Sequence, residues 1–174
     1  MNYRIEKREA QRFVGFCRRF SGTPDERAEQ EADFFVHTRL KQYALMGISG
    51  DCETQYTLIR NAGADGYDFL IAAPFGEKLP EAHYRQVAEE NPELKAMFEV
   101  IEVPAATYAV FETGRSRYPT KEQADLREEV FSEWLPGSGV QLAEGMEMTV
   151  IHWFSSGGGK RDERYIELWI PVTR

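Results

Sequence analysis

The sequence predicts an α+β fold made of a duplicated β-α-β-β module, with two half-domains whose antiparallel sheets flank a central ligand cleft. The prediction rests on two pairs of sequence features that are separated by the same number of residues. Helix openings occur at Thr23 and Thr120, and the same spacing separates two prolines that follow apolar, strand-like runs, Pro74 and Pro171. Because side-chain identity between the halves is poor, the repeat is one of order and spacing.

The prediction is a single domain, residues 1–174, with pseudo-repeats at about 1–76 and 98–174 and a connector at 77–97. A chain of 174 residues with 42% hydrophobic content can bury a globular core. No apolar run approaches the roughly 20 residues of a membrane span. The charged start, Met1-Asn2-Tyr3-Arg4, does not resemble a signal peptide. We therefore expect a cytoplasmic protein with no membrane association.

The net charge argues against one class of partner, and the positions of the cysteines and histidines argue against a bound metal. A formal net charge of -8 argues against direct binding to nucleic acid, because phosphate groups require a basic surface. Cys17 and Cys52 lack a C-x-x-C spacing, which predicts reduced cysteines. His37, His83 and His152 are far apart, whereas metal sites need clustered ligands. We expect neither a metal nor a cofactor.

The first half begins with strands and continues into a helix. Residues 3–20 alternate and predict an extended pair. Thr23-Pro24-Asp25-Glu26 opens a helix, with Thr as the N-cap, Pro at the first helical position and Glu three residues after the cap. The helix is expected to run to Gln42 and to bury a stripe formed by Ala28, Ala32, Phe35, Val36 and Leu40.

Strands complete the first half. Residues 44–49 predict a short buried strand, and a polar stretch follows it. A turn is predicted at 62–66, and the run Y-D-F-L-I-A-A-P-F at 67–75 predicts a strong strand closed by Pro74. The connector then carries a polar helix from Pro80 to Glu90 and a short helix capped by Asn91.

The second half repeats the order of the first. Thr120 is expected to cap a helix that ends at Pro136 and buries Leu126, Val130, Phe131 and Trp134. The other predicted elements are strands at 98–103 and 107–112, a loop at 114–119, a short extended segment at 140–142, a strand at 148–154, a Gly-rich turn at 155–160 and a final strand at 164–172.

The final strand carries the strongest sign of a functional site. Side chains alternate along a strand, so Ile166, Leu168, Ile170 and Val172 share one apolar face. The other face holds Tyr165, Glu167 and Trp169, which places a carboxylate between two aromatic rings. Burying a charge is costly unless something compensates for it, so Glu167 is the candidate ligand-binding residue.

Further aromatic residues are predicted near this strand. The candidates are Trp153, Tyr108, Tyr67, Phe69, Phe35 and Tyr43, which join Glu167, Tyr165 and Trp169 as proposed ligand-binding residues. Aromatic ring faces attract a cation by about 0.5–2 kcal/mol each, and a carboxylate supplies the opposite charge. The expected partner is therefore a small molecule that is hydrophobic or cationic.

Two alternatives remain for Glu167 and its surroundings. A glutamate on a half-exposed strand could simply face solvent. A carboxylate desolvated by aromatic rings would instead have a raised pKa, and could act as a general base or nucleophile toward an electrophilic ligand. His152 is expected to be a satisfied core or rim histidine rather than a catalytic base.

Three motifs resemble the GyrI-like small-molecule-binding family, which is also found as the effector-binding domain of AraC-type and MerR-type multidrug-responsive regulators. They are Ile101-Glu102-Val103-Pro104-Ala105-Ala106-Thr107-Tyr108-Ala109-Val110-Phe111, then Glu133-Trp134-Leu135-Pro136-Gly137-Ser138-Gly139, and Tyr165-Ile166-Glu167-Leu168-Trp169-Ile170-Pro171-Val172. Their order matches that of the family. The resemblance is clear over residues 98–174 and looser over 1–76.

The resemblance implies paired β-α-β-β modules and a ligand cleft whose charged group is Glu167. It implies a stand-alone protein that binds or sequesters drugs or effectors, and any regulatory partner protein remains unknown. It also implies two alternatives: a hydrolase that acts on reactive electrophiles with help from Glu167, and a protein-interaction role such as inhibition of DNA gyrase. The chain departs from the family at Val140 and in the strand at 148–154.

Overall fold

Antiparallel strand pairing organises this chain. The computed structural model describes residues 1–155 and 159–173. Strands within these residues are β1 (Tyr3–Arg8), β2 (Gln11–Ser21), β3 (Thr54–Gly63), β4 (Gly66–Pro74), β5 (Glu99–Val103), β6 (Ala106–Glu112), β7 (Gln141–Leu142), β8 (Glu147–His152) and β9 (Tyr165–Thr173). The α+β class predicted from the sequence is confirmed. The predicted turn at 155–160 lies partly outside the described residues.

Helices connect these strands. They are α1 (Pro24–His37), α2 (Arg39–Ser49), α3 (Glu81–Glu90), α4 (Pro92–Met97), α5 (Thr120–Glu129) and α6 (Leu135–Ser138), with a π-helical segment (Val130–Trp134) between α5 and α6. No described helix combines the length and apolar character needed to cross a bilayer.

The described residues form two compact units whose boundaries differ from the predicted halves. The first unit contains Met1–Ala10, Cys52–Tyr56 and Pro104–Arg174, and the second contains Gln11–Asp51 and Thr57–Val103. The N-terminal strand therefore belongs to the unit that contains the C-terminal strand. The expected connector belongs to the second unit, because Tyr84, Ala88 and Leu94 pack in its core.

In the first unit, strands follow the order β1-β6-β9-β8, and β7 pairs with β9. Strand β9 is therefore central. Its apolar face is confirmed as core, since Ile166, Leu168, Ile170 and Val172 are buried in one hydrophobic cluster. That cluster also holds Ala109 and Phe111 from β6. The Trp134 ring lies 4.8 Å from Phe111 and 4.9 Å from Tyr3.

The helix in the first unit differs from the prediction at both ends. Thr120 is its first residue rather than its cap, and Pro119 takes the N-cap position. Pro136 does not end the helix, because α6 continues directly from the π-helical segment and includes Pro136. The helix ends at Gly139, whose φ of 73° is left-handed. Pro171 lies within β9 rather than at its end.

In the second unit, the strand order is β3-β4-β2-β5. Its core is aromatic: Phe20 and Phe69 stack at 5.1 Å, and Phe34 lies 5.4 Å from Phe16. The strand predicted at 67–75 is confirmed as β4.

The predicted helix to Gln42 is interrupted in the structure. Thr38 leaves the helical conformation, at φ -116° and ψ 22°, and its hydroxyl donates to Phe34 O at 2.6 Å. The buried stripe also differs from the prediction. Phe34 is buried, while Val36 and Leu40 are 53% and 81% exposed.

The buried strand predicted at 44–49 is wrong, because these residues lie in α2. Ala44, Leu45 and Ile48 contact the core at helical spacing. A short apolar run cannot be assigned to a helix or a strand by periodicity alone. The polar stretch that follows forms β3.

Candidate functional site

The candidate site is the face of the first unit's sheet opposite its hydrophobic cluster. Paired residues point to the same side of a sheet, so the register defines this face. We call it the Glu167 face. It contains Arg4, Glu6 and Arg8 from β1, Tyr108, Val110 and Glu112 from β6, Val150 and His152 from β8, and Tyr165, Glu167 and Trp169 from β9.

Glu167 is buried at the centre of this face. The residue is 8% exposed, and both of its carboxylate oxygens have partners. Arg4 Nη2 donates to Oε1 at 2.5 Å, and His152 Nε2 lies 3.0 Å from Oε2. A carboxylate only accepts, so the histidine nitrogen donates this second hydrogen bond. Glu167 is thus compensated within its own unit.

These partners determine the ionisation of Glu167. Burial by itself would raise the pKa of the carboxyl group. The hydrogen bonds from His152 and Arg4, together with the positive charge of Arg4, outweigh burial and hold the pKa of Glu167 below its ordinary value. The raised pKa predicted for a general base is therefore wrong. The geometry instead provides a carboxylate that remains ionised.

Arg4 links Glu167 to neighbouring carboxylates. Its Nε donates to Glu6 at 2.5 Å, and its Nη1 donates to Glu112 at 3.0 Å. Burial would lower the pKa of Arg4, but the hydrogen bonds and charges of Glu6 and Glu167 raise it. The Arg4 side chain is nevertheless 40% exposed. One guanidinium therefore bridges three carboxylates while staying in contact with solvent.

Aromatic rings on this face hold cationic groups. The guanidinium of Arg8 lies 4.2 Å from the Trp169 ring centroid, and that of Arg115 lies 3.4 Å from the Tyr165 centroid. The His152 ring stacks on Tyr165 at 4.2 Å and 16°. The two guanidinium contacts are each worth about 0.5–2 kcal/mol, depending on solvent exposure. The ring faces therefore bind planar, cationic groups supplied by the chain itself.

Trp169 is almost fully enclosed. It is 2% exposed, and Tyr108 meets its edge with centroids 5.7 Å apart. The Tyr108 hydroxyl donates to Met146 O at 3.3 Å. The buried Nε1 of Trp169 has no hydrogen-bond partner within residues 1–155 and 159–173. This N–H is a donor that a ligand's acceptor atom would satisfy.

A side chain at the end of β6 anchors the start of β9. Thr113 N donates to Ile166 O at 2.9 Å, and Ile166 N donates to Thr113 Oγ1 at 2.9 Å. The threonine hydroxyl thus replaces a backbone carbonyl in the ladder. Since Ile166 directly precedes Glu167, these bonds fix the backbone that carries the carboxylate.

The predicted site residues fall into separate groups. Tyr108, Tyr165, Glu167 and Trp169 lie together on the Glu167 face. Trp153 packs against the hydrophobic cluster beneath the opposite face of β9, and its indole N–H donates to Gln55 at 3.2 Å. The remaining candidates belong to the second unit: Phe35, Tyr67 and Phe69 pack in its core, and Tyr43 is exposed.

The charged partners of Glu167 are not indicated by the pattern of its own strand. Arg4, Arg8 and Glu112 were not among the candidates, and His152 was expected only to be satisfied in the core or at its rim. One signal was present: Arg4, Glu6 and Arg8 occupy alternate positions of the first strand. A strand with one fully charged face requires solvent or an oppositely charged neighbour.

Comparisons with known proteins agree with this fold. One structure similar in fold is SAV2435 bound to tetraphenylphosphonium, at 13% identity and a TM-score of 0.67, covering 99% of this chain and 94% of that chain. Another is an integron cassette protein from Vibrio cholerae, at 15% identity and a TM-score of 0.58, with coverage of 98% and 95%. The EcmrR C-terminal domain matches at 10% identity and a TM-score of 0.57, with coverage of 99% and 98%.

At these identities, the structural likeness shows the fold alone. A comparison with curated protein sequences found no match. The model of the family described as Cass2, integron-associated effector binding protein, matches residues 4–172. This match agrees with the GyrI-like resemblance of the sequence motifs. Because the model spans nearly the whole chain, the protein belongs to the Cass2 family of effector-binding proteins.

Proposed function

We propose that this protein binds amphipathic small molecules that carry a cationic or aromatic group, and that the Glu167 face holds them. The observation that carries the proposal is the ionised, buried carboxylate of Glu167 on a sheet face whose aromatic rings already contact guanidinium groups. The function would be to bind or sequester an effector or drug.

The relatives support this ligand class. The family consists of effector-binding proteins. Tetraphenylphosphonium, bound in one relative of the same fold, is a cation surrounded by aromatic rings. Such a molecule needs a carboxylate and ring faces rather than directional hydrogen bonds. Glu167, Trp169 and Tyr165 supply these features within one strand.

A hydrolytic role for Glu167 has less support. A general base works best when its pKa lies near the working pH, but the pKa of this carboxyl is held below its ordinary value. Arg4 and His152 also engage both of its oxygens. Turnover of an electrophilic substrate that depends on Glu167 would establish hydrolysis over binding.

Titration with tetraphenylphosphonium tests the proposal. Binding is measured by calorimetry and by quenching of tryptophan fluorescence in the wild type and in Glu167→Gln. We expect the substitution to weaken binding by about 1 kcal/mol or more, which is a rise in Kd of about fivefold or more, because the amide keeps the shape of the side chain but loses its charge.

Two matched controls isolate the charge of Glu167. Glu144→Gln makes the same substitution at an exposed position and should leave Kd unchanged. Triphenylphosphine oxide, a neutral aromatic relative of the probe, should bind more weakly to the wild type and should not distinguish Glu167→Gln from it. Equal affinity of wild type and Glu167→Gln for the cation would contradict the proposal.

A further inference from the structure

We propose that Arg4 is an internal cation of the Glu167 face, and that a ligand cation reaches Glu167 by displacing the Arg4 guanidinium rather than by binding beside it. This inference rests on the proposed function. It adds a residue that sets affinity and selectivity. Arg4 would compete with every cationic ligand for the same carboxylate.

The strand register explains how Arg4 reaches the carboxylate. Arg4 pairs with Val110, and Val110 pairs with Trp169, so the three side chains stand in one row across the sheet. Neighbouring strands lie about 4.8 Å apart, which leaves β1 roughly 10 Å from β9. The long arginine side chain crosses this gap over β6 and donates to both Glu112 and Glu167.

The ligand cation must replace Arg4 because both oxygens of the Glu167 carboxylate are already hydrogen-bonded. Arg4 holds Oε1 of Glu167 and His152 holds Oε2, while the Glu167 side chain is 10% exposed. Both oxygens are therefore engaged already, and direct contact with a ligand cation would require one of these partners to move. Arg4 is the partner better placed to leave, because its side chain is 40% exposed and that of His152 is 23% exposed.

Neighbouring carboxylates allow Arg4 to leave Glu167 without a change in strand pairing. A displaced Arg4 still has Glu6 and Glu112 within reach, through Nε and Nη1. Strand β1 can therefore stay paired with β6 while the guanidinium swings away from Glu167. Arg115, which contacts Glu112 at 3.3 Å, supplies a further positive charge to this carboxylate.

Removing the internal cation provides the test. The affinity for tetraphenylphosphonium is measured by calorimetry in the wild type, Arg4→Met and Lys7→Met. Lys7 is exposed on the same strand, so Lys7→Met removes an equal charge without touching Glu167. We expect Arg4→Met to bind at least fivefold more tightly than the wild type and Lys7→Met to stay within twofold of it.

Two further variants keep the test decisive. In Arg4→Met combined with Glu167→Gln, the gain in affinity should disappear, because there is no longer a carboxylate to expose. If Arg4→Met does not fold, Arg4→Lys replaces it, since lysine keeps the charge but cannot donate to several carboxylates through a planar fork. Arg4→Lys should then bind more tightly than the wild type.

The outcomes separate the two proposals. If Glu167→Gln weakens binding but a folded Arg4 variant binds no more tightly than the wild type, exchange with Arg4 is wrong and the proposed function stands. If Glu167→Gln leaves the affinity unchanged, the ligand cation does not use this carboxylate, and both proposals fail. Tighter binding in Arg4→Met that persists with Gln at position 167 would also overturn the exchange.

Discussion

Arg4 Nη2 lies 2.5 Å from Glu167 Oε1, so the first strand of the chain neutralises the buried carboxylate of the last strand. These strands are separated by β6 in the sheet, and the contact therefore depends on the assembled first unit. In the unfolded chain the two residues are far apart and Glu167 is solvated. Protonation of Glu167 is consequently coupled to folding.

The first prediction concerns stability at acid pH. The pKa of Glu167 is lower in the folded protein than its ordinary value of 4.5, so the ionised carboxylate stabilises the fold above that value. This contribution is lost as pH falls through the lower, folded pKa. We expect the free energy of unfolding, measured in urea from pH 3 to 7, to fall less on acidification in Glu167→Gln than in the wild type.

Other carboxylates also make the folded protein less stable at acid pH, so the pH profile of Glu167→Gln needs a control variant. The pKa of Asp68 is lowered by hydrogen bonds from Asn61 and Arg19, and this effect persists in every variant. Glu144→Gln, at an exposed position, should give the wild-type pH profile. A Glu167→Gln profile parallel to that of the wild type would show that the carboxylate is not stabilised by its partners.

The second prediction isolates His152. In His152→Phe the ring that stacks on Tyr165 is kept, while the Nε2 hydrogen bond to Glu167 is lost. We expect the pKa of Glu167 to rise toward its ordinary value, because one of the interactions that favours the ionised form is missing. An NMR titration of ¹³C-labelled glutamate side chains measures this pKa directly. An unchanged Glu167 titration in a folded variant would contradict the assignment.

The final strand and its two faces could be predicted from local sequence. Period-two alternation places Ile166 and Leu168 on one face and Glu167 and Trp169 on the other, and the structure confirms the buried apolar face. The prediction succeeds because alternation along a strand assigns each side chain to one face or the other without knowledge of the neighbouring strands. The same local pattern predicted β4 correctly.

The partners of Glu167 could not be predicted in this way. Arg4 reaches Glu167 only because β1 pairs with β6, and β6 pairs with β9. Strand pairing across most of the chain is not encoded in a short window of sequence. From the sequence alone, a carboxylate between aromatic residues lacks visible partners, and the alternative in which its pKa is raised is contradicted by the lowered pKa in the structure.

The third prediction concerns the hydroxyl that anchors β9. Thr113 Oγ1 accepts the buried backbone N–H of Ile166, so Thr113→Val leaves that donor without its partner. The free energy of unfolding should fall by about 1–3 kcal/mol, the cost of an unsatisfied buried donor. Thr149→Val, at a half-buried position of β8, makes the same substitution and should cost less. Equal losses in urea unfolding would show that the Thr113 hydroxyl has no special role.

The last prediction tests α2, the helix whose second half the sequence predicted as a strand. Gly47 lies inside α2 and Gly50 ends it at φ 64°, and a Cβ at either position would meet no atom within 4 Å. The two substitutions to alanine therefore differ in backbone conformation rather than in packing.

Gly47→Ala should stabilise the protein by about 0.5–1 kcal/mol, because alanine loses less conformational entropy than glycine in a helix. Gly50→Ala should destabilise it by about 1–2 kcal/mol, because a Cβ disfavours the left-handed conformation that lets the Gly50 N–H donate to Met46 O. Thermal and urea unfolding measure both changes. If residues 44–49 formed a strand instead, Gly47→Ala would give no helix-propensity gain, and the opposite signs of the two substitutions would be lost.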